Sequence, residues 1–150
     1  MTDVEESKIT DEHRASIGVK TDPVPVEVTQ EDARRVRALL NDDDPRYADD
    51  TGIAPPYILA VIDPGMPFSI LPRVLPGGLL TQTEWKFHDD IKVGTTLQAV
   101  HQVIDVRDRL GGRYGYSVLV MVQTDYQDST GKALGSALRT ITQFDRGDSK

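Results

Sequence analysis

The sequence predicts an α+β domain in which one helix and an irregular segment precede an antiparallel sheet. An amphipathic pattern with a capping residue follows Thr29, alternating apolar residues begin at Leu79, and short glycine-containing turns separate the later segments. At 150 residues the chain has the length of one domain, long enough to bury a core without disulfides or a structural metal.

The clearest helix begins after a short extended segment, residues 24–28. Thr29 followed by Asp32 resembles a capping box, and the acidic first turn complements the helix dipole. The apolar residues of the segment fall on one face: Ala33, Val36, Leu39 and Leu40. We expect the helix to end at Asn41, because the aspartates after it and Pro45 cannot extend it.

Four strands are predicted from Leu79 onward. The apolar residues of the first share one parity, as in a half-buried strand: Leu79, Trp85, Phe87 and Ile91. The others run from about 96 to 107, from 114 to 126 and from 133 to 144. The third is apolar on both faces in its middle and is expected to lie centrally in the sheet. Short turns between successive strands predict an antiparallel meander.

The stretch 51–78 is irregular. Residues 55–62 predict a short helix with a proline favourable in its first turn, and Asp63-Pro64 breaks it. The prolines and glycines that follow prevent another long helix. A helix this short covers little apolar surface inside a curved sheet, so a loop or another chain must cover the remainder.

The ends of the chain are polar and lack a periodic apolar pattern. We predict a flexible or docking N-terminal arm over residues 1–22, a domain over residues 23–144 and a disordered tail over residues 145–150.

Composition excludes several classes of protein. The chain has no cysteine, which removes disulfides, thiolate metal sites and a cysteine nucleophile. Its net charge of −7 argues against a nucleic-acid partner, and no apolar run is long enough to span a membrane. The acidic N-terminus is unlike a secretory signal, so a cytoplasmic location is expected. We predict no cofactor and no metal, since His13, His88 and His101 are isolated from one another.

The most informative stretch runs from Asn41 to Tyr57. Taken alone, its aspartates form a solvated turn after a helix. An EF-hand calcium loop is disfavoured, because the aspartates lack the alternating spacing, central glycine and terminal glutamate of that loop.

Three segments, in their order and spacing, resemble the MaoC-like, or R-specific enoyl-CoA hydratase, branch of the hot-dog superfamily. They are Asp-x-x-Pro-x-aromatic, Ile-Ala-Pro-Pro, and the run from Gly77 to Thr95 that contains Phe87-His88. The resemblance covers residues 17–144 and is strongest to N-terminal-type dehydratase domains, which work beside a catalytic partner. It implies a single hot-dog fold, an antiparallel sheet wrapped around a short, interrupted central helix.

In active members of that family the first motif is Gly-Asp-x-Asn-Pro-x-His. Its Asp and His activate the water that adds to an enoyl thioester, and a glycine N–H in Ile-Ala-His-Gly holds the thioester oxygen. Here the Asp is retained as Asp42, the His is replaced by Tyr47, and the glycine is replaced by Pro56. A tyrosine, with a pKa of about 10, is a poor base near neutral pH. Proline has no N–H, and loss of one oxyanion donor costs about 10²–10³ in rate.

The resemblance therefore gives one candidate catalytic residue, Asp42, whose role stays open between direct catalysis and binding a helix start or a partner group. The candidate substrate-binding residues are Tyr47, Ile53, Ala54, Pro56 and Tyr57.

The function implied is that of a subunit of a heteromeric enoyl-CoA hydratase, equivalently a 3-hydroxyacyl-thioester dehydratase. Its ligand would be an acyl-CoA or acyl-carrier thioester, and its partner a catalytic hot-dog subunit in a heterodimer or heterotetramer. The interrupted helix leaves room for a bulky, steroid-like or long acyl group. Two alternatives are a non-enzymatic acyl-CoA-binding module and a hot-dog thioesterase that uses Asp42 or Glu84.

Overall fold

The computed structural model describes residues 6–112 and 115–146, which form a curved antiparallel sheet and three short α-helices. The elements in chain order are α1 (Asp11–Arg14), β1 (Val24–Glu27), α2 (Gln30–Leu39), β2 (Ile53–Ala54), α3 (Ile58–Ile62), β3 (Gly77–Phe87), β4 (Ile91–Lys92), β5 (Thr96–Leu110), β6 (Tyr116–Gln127) and β7 (Ala133–Phe144). Two 3₁₀ turns, Pro45–Tyr47 and Asp49–Thr51, lie between α2 and β2. The predicted α+β class is confirmed.

The main sheet has the strand order β1-β5-β6-β7-β3, and β2 pairs with β4 in a separate ribbon. The predicted central strand, β6, lies in the middle, and the last strand has its predicted bounds. The predicted meander holds for β5 to β7 but is wrong for β3, which pairs with β7 and not with β5. After β3 the chain leaves the main sheet to form β4. It rejoins that sheet as β5, which lies beside β1 and two strands away from β7. The predicted start of β6 at Tyr114 lies outside the described residues.

A β-bulge changes which side chains of β3 face inward. The register between β3 and β7 shifts between Leu80 and Gln82, and such a shift exchanges the two faces of a strand. Leu80 therefore shares the concave face with Trp85 and Phe87, and the predicted parity is wrong at Leu79. The predicted burial holds for Ile91 and in part for Trp85 but is wrong for Leu79 and Phe87, which are 51% and 45% exposed. The cause is that β3 is the edge strand of the sheet.

Helices α2 and α3 cover one half of the concave face. Thr29 caps α2 as predicted, accepting a hydrogen bond from the Asp32 N–H at 3.1 Å. Ala33 and Val36 are buried, whereas Leu39 and Leu40 at the end of the predicted apolar face are exposed. The buried residues under the helices form the helix cluster: Val26, Val28, Ala33, Ala54, Ile58, Leu59, Ile91, Leu97, Ala99, Tyr126, Leu134 and Ala137.

The short helix α3 ends at Ile62, as predicted, so it cannot cover the other half of the concave face. A loop covers that half, which is one of the two possibilities expected from the sequence. The buried residues here form the loop cluster: Ile9, Leu75, Val103, Val106, Tyr116, Val118, Val120 and Val122. Ile70, Leu71 and Val74 of the loop pack against it.

The described part of the N-terminal arm lies along β5. The Gly18 N–H donates to the Val103 carbonyl at 2.7 Å, and Thr21 Oγ1 accepts from the His101 N–H at 3.1 Å. Residues 1–5 of the arm and 147–150 of the tail lie outside the described residues. The boundaries of arm, domain and tail stay predictions. Among the helices of the described ranges, none is long and apolar enough to cross a membrane.

Candidate functional site

The turn after α2 places Asp42 toward the start of α3. Asn41 has a φ of +50°, a left-handed conformation that asparagine tolerates better than most residues. The Asp42 N–H then donates to the Arg37 carbonyl at 2.9 Å. Asp42 Oδ1 accepts from the Asp44 N–H at 3.0 Å, so the carboxylate also organises its own turn.

The second oxygen of Asp42 accepts a hydrogen bond from the Tyr57 hydroxyl. This bond and the Asp44 N–H lower the pKa of Asp42 below its ordinary value, because both stabilise the ionised form. Burial, followed by the bond to Asp42, raises the pKa of Tyr57. The carboxylate is therefore a weak base with both oxygens engaged, and it joins the turn to α3.

Three of the predicted substrate-binding residues meet at one small pocket of about 240 Å³, called here the Tyr47 pocket. Tyr47, Ala54 and Pro56 line it together with Phe87 and His88. The Tyr47 carbonyl accepts from Arg37 Nη1 at 2.7 Å, which fixes the backbone there.

The other two predicted residues do not line the Tyr47 pocket. Ile53 is half-buried in β2 opposite Lys92, and Tyr57 is directed toward Asp42. Glu84, the alternative carboxylate, is exposed on the face of β3 opposite to Phe87. The described residues hold no group of three or more His, Cys, Asp or Glu side chains arranged for a metal ion.

A larger cavity of about 460 Å³, called here the apolar groove, lies between the loop after α3 and the adjoining ends of β3 and β7. The apolar residues that line it are Met66, Phe68, Leu71, Pro72, Leu75, Pro76, Leu79, Leu80 and Ile141. Gln143 holds the loop in place, because its Oε1 accepts from the Val74 N–H at 2.8 Å and its Nε2 donates to the Pro72 carbonyl at 2.8 Å. Arg73 is the one charged side chain among the described lining residues.

A buried polar network, called here the polar belt, consists of Asp63, His101, Thr124, Tyr126 and Arg139. Tyr126 Oη donates to Asp63 Oδ1 at 2.5 Å, and Arg139 Nη2 lies 2.9 Å from Asp63 Oδ2. Arg139 Nη1 donates to Thr124 Oγ1 at 3.0 Å, and His101 Nδ1 is 2.6 Å from the same oxygen.

Sequence patterns alone did not identify the polar belt. They indicated only that Asp63 helps to end the short helix and that His101 is isolated from the other histidines. A signal was present in the last strand, where Arg139 has the same parity as the concave-face residues Ala137 and Ile141. A charged residue at such a position requires a buried partner. Burial lowers the pKa of His101, and burial with the bond to Asp63 raises the pKa of Tyr126.

Comparisons with known proteins agree on the family. A family model described as "FAS1-like, dehydratase domain region" matches residues 15–136. No curated protein matches the chain.

Several solved structures share the fold. The ChsH1-ChsH2 complex from Mycobacterium tuberculosis contains a chain with a TM-score of 0.72 and 16% identity, covering 93% of this chain and 95% of that one. The HadBC (3R-hydroxyacyl-ACP dehydratase) complex from the same organism gives 0.65 and 19%, covering 84% and 96%. A MaoC-like dehydratase from Rhodospirillum rubrum gives 0.57 and 18%, covering 87% and 93%.

The family match spans most of the chain, and the structures that share its fold include MaoC-like dehydratases. The chain therefore belongs to the family of FAS1-like dehydratase domain regions and has the hot-dog fold of the MaoC-like dehydratases, as the sequence resemblance implied.

Proposed function

We propose that this chain is the acyl-binding subunit of a heteromeric enoyl-thioester hydratase whose second hot-dog subunit carries out the chemistry. The observation that supports this most directly is the state of Asp42, whose two oxygens accept from Tyr57 and from the Asp44 N–H. Tyr47 and Pro56 replace the two other groups that the reaction uses, so the scaffold is kept and the catalytic set is incomplete.

Hydration of an enoyl thioester needs a base that takes a proton from water while the water oxygen bonds to C3. An acid delivers a proton to C2, and N–H donors hold the negative charge that develops on the thioester oxygen. Pro56 has no N–H to donate at its position. The partner subunit would supply the Asp–His pair and the oxyanion donor.

The apolar groove would receive the acyl group. It exists because α3 stops after Ile62, and a loop then crosses the concave face. Its apolar lining suits a long aliphatic chain or a bulky polycyclic, steroid-like acyl group carried on CoA or an acyl-carrier protein. CoA and an acyl-carrier protein differ only on the sulfur side of the thioester, so the groove would suit either carrier.

The open edge of β3 would receive the partner. On the other side of the sheet, β1 and the N-terminal arm cover the edge of β5, whereas β3 presents its outer edge with Leu79, Leu80 and Phe87 exposed. An uncovered strand edge of this length pairs readily with another strand. Two of the structures that share this fold are complexes of two named proteins, ChsH1-ChsH2 and HadBC. The assembly would work in the cytoplasm.

The test is an assay of enoyl-CoA hydration by the purified chain, alone and after co-expression with a hot-dog protein that carries the complete Gly-Asp-x-Asn-Pro-x-His motif. We expect turnover only with the partner. Full turnover by the chain alone contradicts the proposal.

The hydrogen bonds that occupy both oxygens of Asp42 are equally compatible with a non-enzymatic acyl-CoA-binding module. That function is favoured if acyl-CoA binds without turnover in the presence of every motif-complete partner. A thioesterase would release free CoA, which a thiol reagent detects. It ranks below the others because Asp42 is occupied and Glu84 lies on the opposite face of β3 from the Tyr47 pocket residue Phe87.

A further inference from the structure

We infer that the buried Asp63–Arg139 ion pair forms the inner wall of the apolar groove and thereby limits the length of the apolar group that the groove accepts. This inference rests on the proposed acyl-binding function and names a specificity determinant within it. The two side chains are 12% and 7% exposed and lie 2.9 Å apart.

The polar belt divides the core in two. On the concave face of both β5 and β6, one polar residue of the belt stands between residues of the two clusters, and the two polar residues are paired across the strands. The order is Ala99, His101, Val103 on β5 and Tyr126, Thr124, Val122 on β6. The first residue of each row belongs to the helix cluster and the last to the loop cluster. The belt therefore occupies the level of the sheet at which helix cover gives way to loop cover.

The ion pair also lies where the two walls of the groove converge. On β7, Arg139, Ile141 and Gln143 alternate onto one face, and the last two line the groove. Arg139 is thus the next residue inward. The opposite wall is the loop that starts at Asp63 and reaches the groove at Met66.

An apolar ligand cannot displace this wall. Separating the pair would leave each buried charge without its counter-ion, and the free energy gained by burying a few methylenes is smaller than that cost. Arg139 is held further by Thr124 at 3.0 Å and lies over the ring of Trp85, with 5.6 Å between the guanidinium carbon and the ring centre. Since Trp85 is the sole tryptophan, its fluorescence reports on the inner end of the groove.

The experiment measures the affinity of the full-length chain for butyryl-, octanoyl-, dodecanoyl- and octadecanoyl-CoA, by calorimetry and by Trp85 fluorescence. Three proteins are compared: the natural chain, an opened variant with Asp63→Ala and Arg139→Ala, and a filled variant with Asp63→Leu and Arg139→Met. Thr142→Ala, on the opposite face of β7, is the control.

For the natural chain we expect affinity to rise with acyl length and then to level off. In the opened variant the rise continues to longer chains, by about fourfold for each further methylene buried. The filled variant and the control keep the natural limit, because the volume at the wall is preserved.

Two results separate failure of the inference from failure of the proposed function. If the natural chain binds none of the four thioesters, the acyl-binding function itself is wrong. If it binds them but has no length limit, or if the opened variant keeps the natural limit, the wall is elsewhere and acyl binding stands. Should the opened variant not fold, Arg139→Val with Asp63→Leu leaves a smaller void, and an unchanged limit in that variant overturns the inference equally.

Discussion

The Tyr57 hydroxyl donates a hydrogen bond to the Asp42 carboxylate, and this bond ties the turn after α2 to the start of α3. Asp42, the aspartate retained from the hydratase motif, therefore accepts hydrogen bonds from neighbouring parts of its own chain. A carboxylate whose pKa is lowered by such bonds has less tendency to remove a proton from water.

The first prediction concerns the catalytic role of Asp42. Replacing Asp42 with Asn, or Tyr57 with Phe, should change the hydration rate of the assembled complex by less than about threefold, because in the proposed complex the partner subunit supplies the groups that act on the substrate. A catalytic acid–base group would lose about 10²–10⁴ in rate. The measurement is kcat with saturating enoyl-CoA for the co-purified complex.

Thermal unfolding of the isolated chain is the companion measurement. Both substitutions should lower its Tm. Tyr57→Phe removes the donor of the bond between the turn and α3, and Asp42→Asn leaves one acceptor oxygen for the two donors that Asp42 binds. A large loss of kcat at unchanged Tm would assign Asp42 to catalysis.

The second prediction is a loss of stability in mild acid that depends on His101. Burial keeps the pKa of this residue below its ordinary value of 6.5, and the positive charge of Arg139 acts in the same direction while Asp63 opposes it. The unfolded chain therefore binds more protons than the folded chain as the pH falls below about 6.5. Stability is complete above that pH and declines below it. Denaturant midpoints measured from pH 7.5 down to 5 should show this.

His101 and Arg139 share one hydroxyl in the polar belt. Arg139 Nη1 donates to Thr124 Oγ1 at 3.0 Å, and His101 Nδ1 lies 2.6 Å from the same oxygen. His101→Gln removes the titrating group, and its midpoint should vary less with pH over the same range. An unchanged pH dependence in that variant would place the acid sensitivity at another group.

The third prediction tests the contact between α3 and the sheet. A Cβ built at Gly135 would lie 2.5 Å from Leu59 Cδ1 and 3.2 Å from the Lys86 carbonyl oxygen. Gly135→Ala should therefore lower the free energy of unfolding by about 1–3 kcal/mol, as overpacking does. Gly78→Ala is the matched control on β3, because its Cβ would meet Ile141 at an ordinary 3.7 Å. Equal effects in the two variants would show that the Leu59 side chain yields to the added methyl group without measurable cost.

Local rules predicted much of this fold. The cap at Thr29, the proline-broken α3 and the bounds of β7 each depend on a few neighbouring residues, and the structure has all of them. Three of the residues that the family motif singled out, Tyr47, Ala54 and Pro56, line the same pocket.

The features that the sequence could not predict depend on distant contacts. Nothing local to β3 shows that it pairs with β7, and the bulge that moves Leu79 to the other face appears only once the strands are paired. The polar belt joins Asp63 to Arg139 across more than half of the chain. Each partner, taken alone, has an ordinary local explanation, so only the tertiary structure identifies the pair.

The fourth prediction concerns the partner-binding edge. Leu79 is 51% exposed on β3, and Leu110 is 63% exposed at the end of β5, so the two leucines are similarly accessible but lie on different strands. Leu79→Glu should weaken association with the motif-complete hot-dog partner by at least about tenfold, because a carboxylate would be desolvated at a strand–strand contact. Leu110→Glu should leave association unchanged.

Both leucine variants can be compared by calorimetric titration with the partner, and circular dichroism confirms that each is folded. Because each substitution adds the same charge to an exposed leucine, a general electrostatic effect would weaken both complexes equally. Selective loss at Leu79 therefore requires contact at β3. Equal affinities for both variants would show that the partner does not bind at this edge. The exposed C-terminal end of α2, with Leu39 and Leu40, would then be the next surface to test.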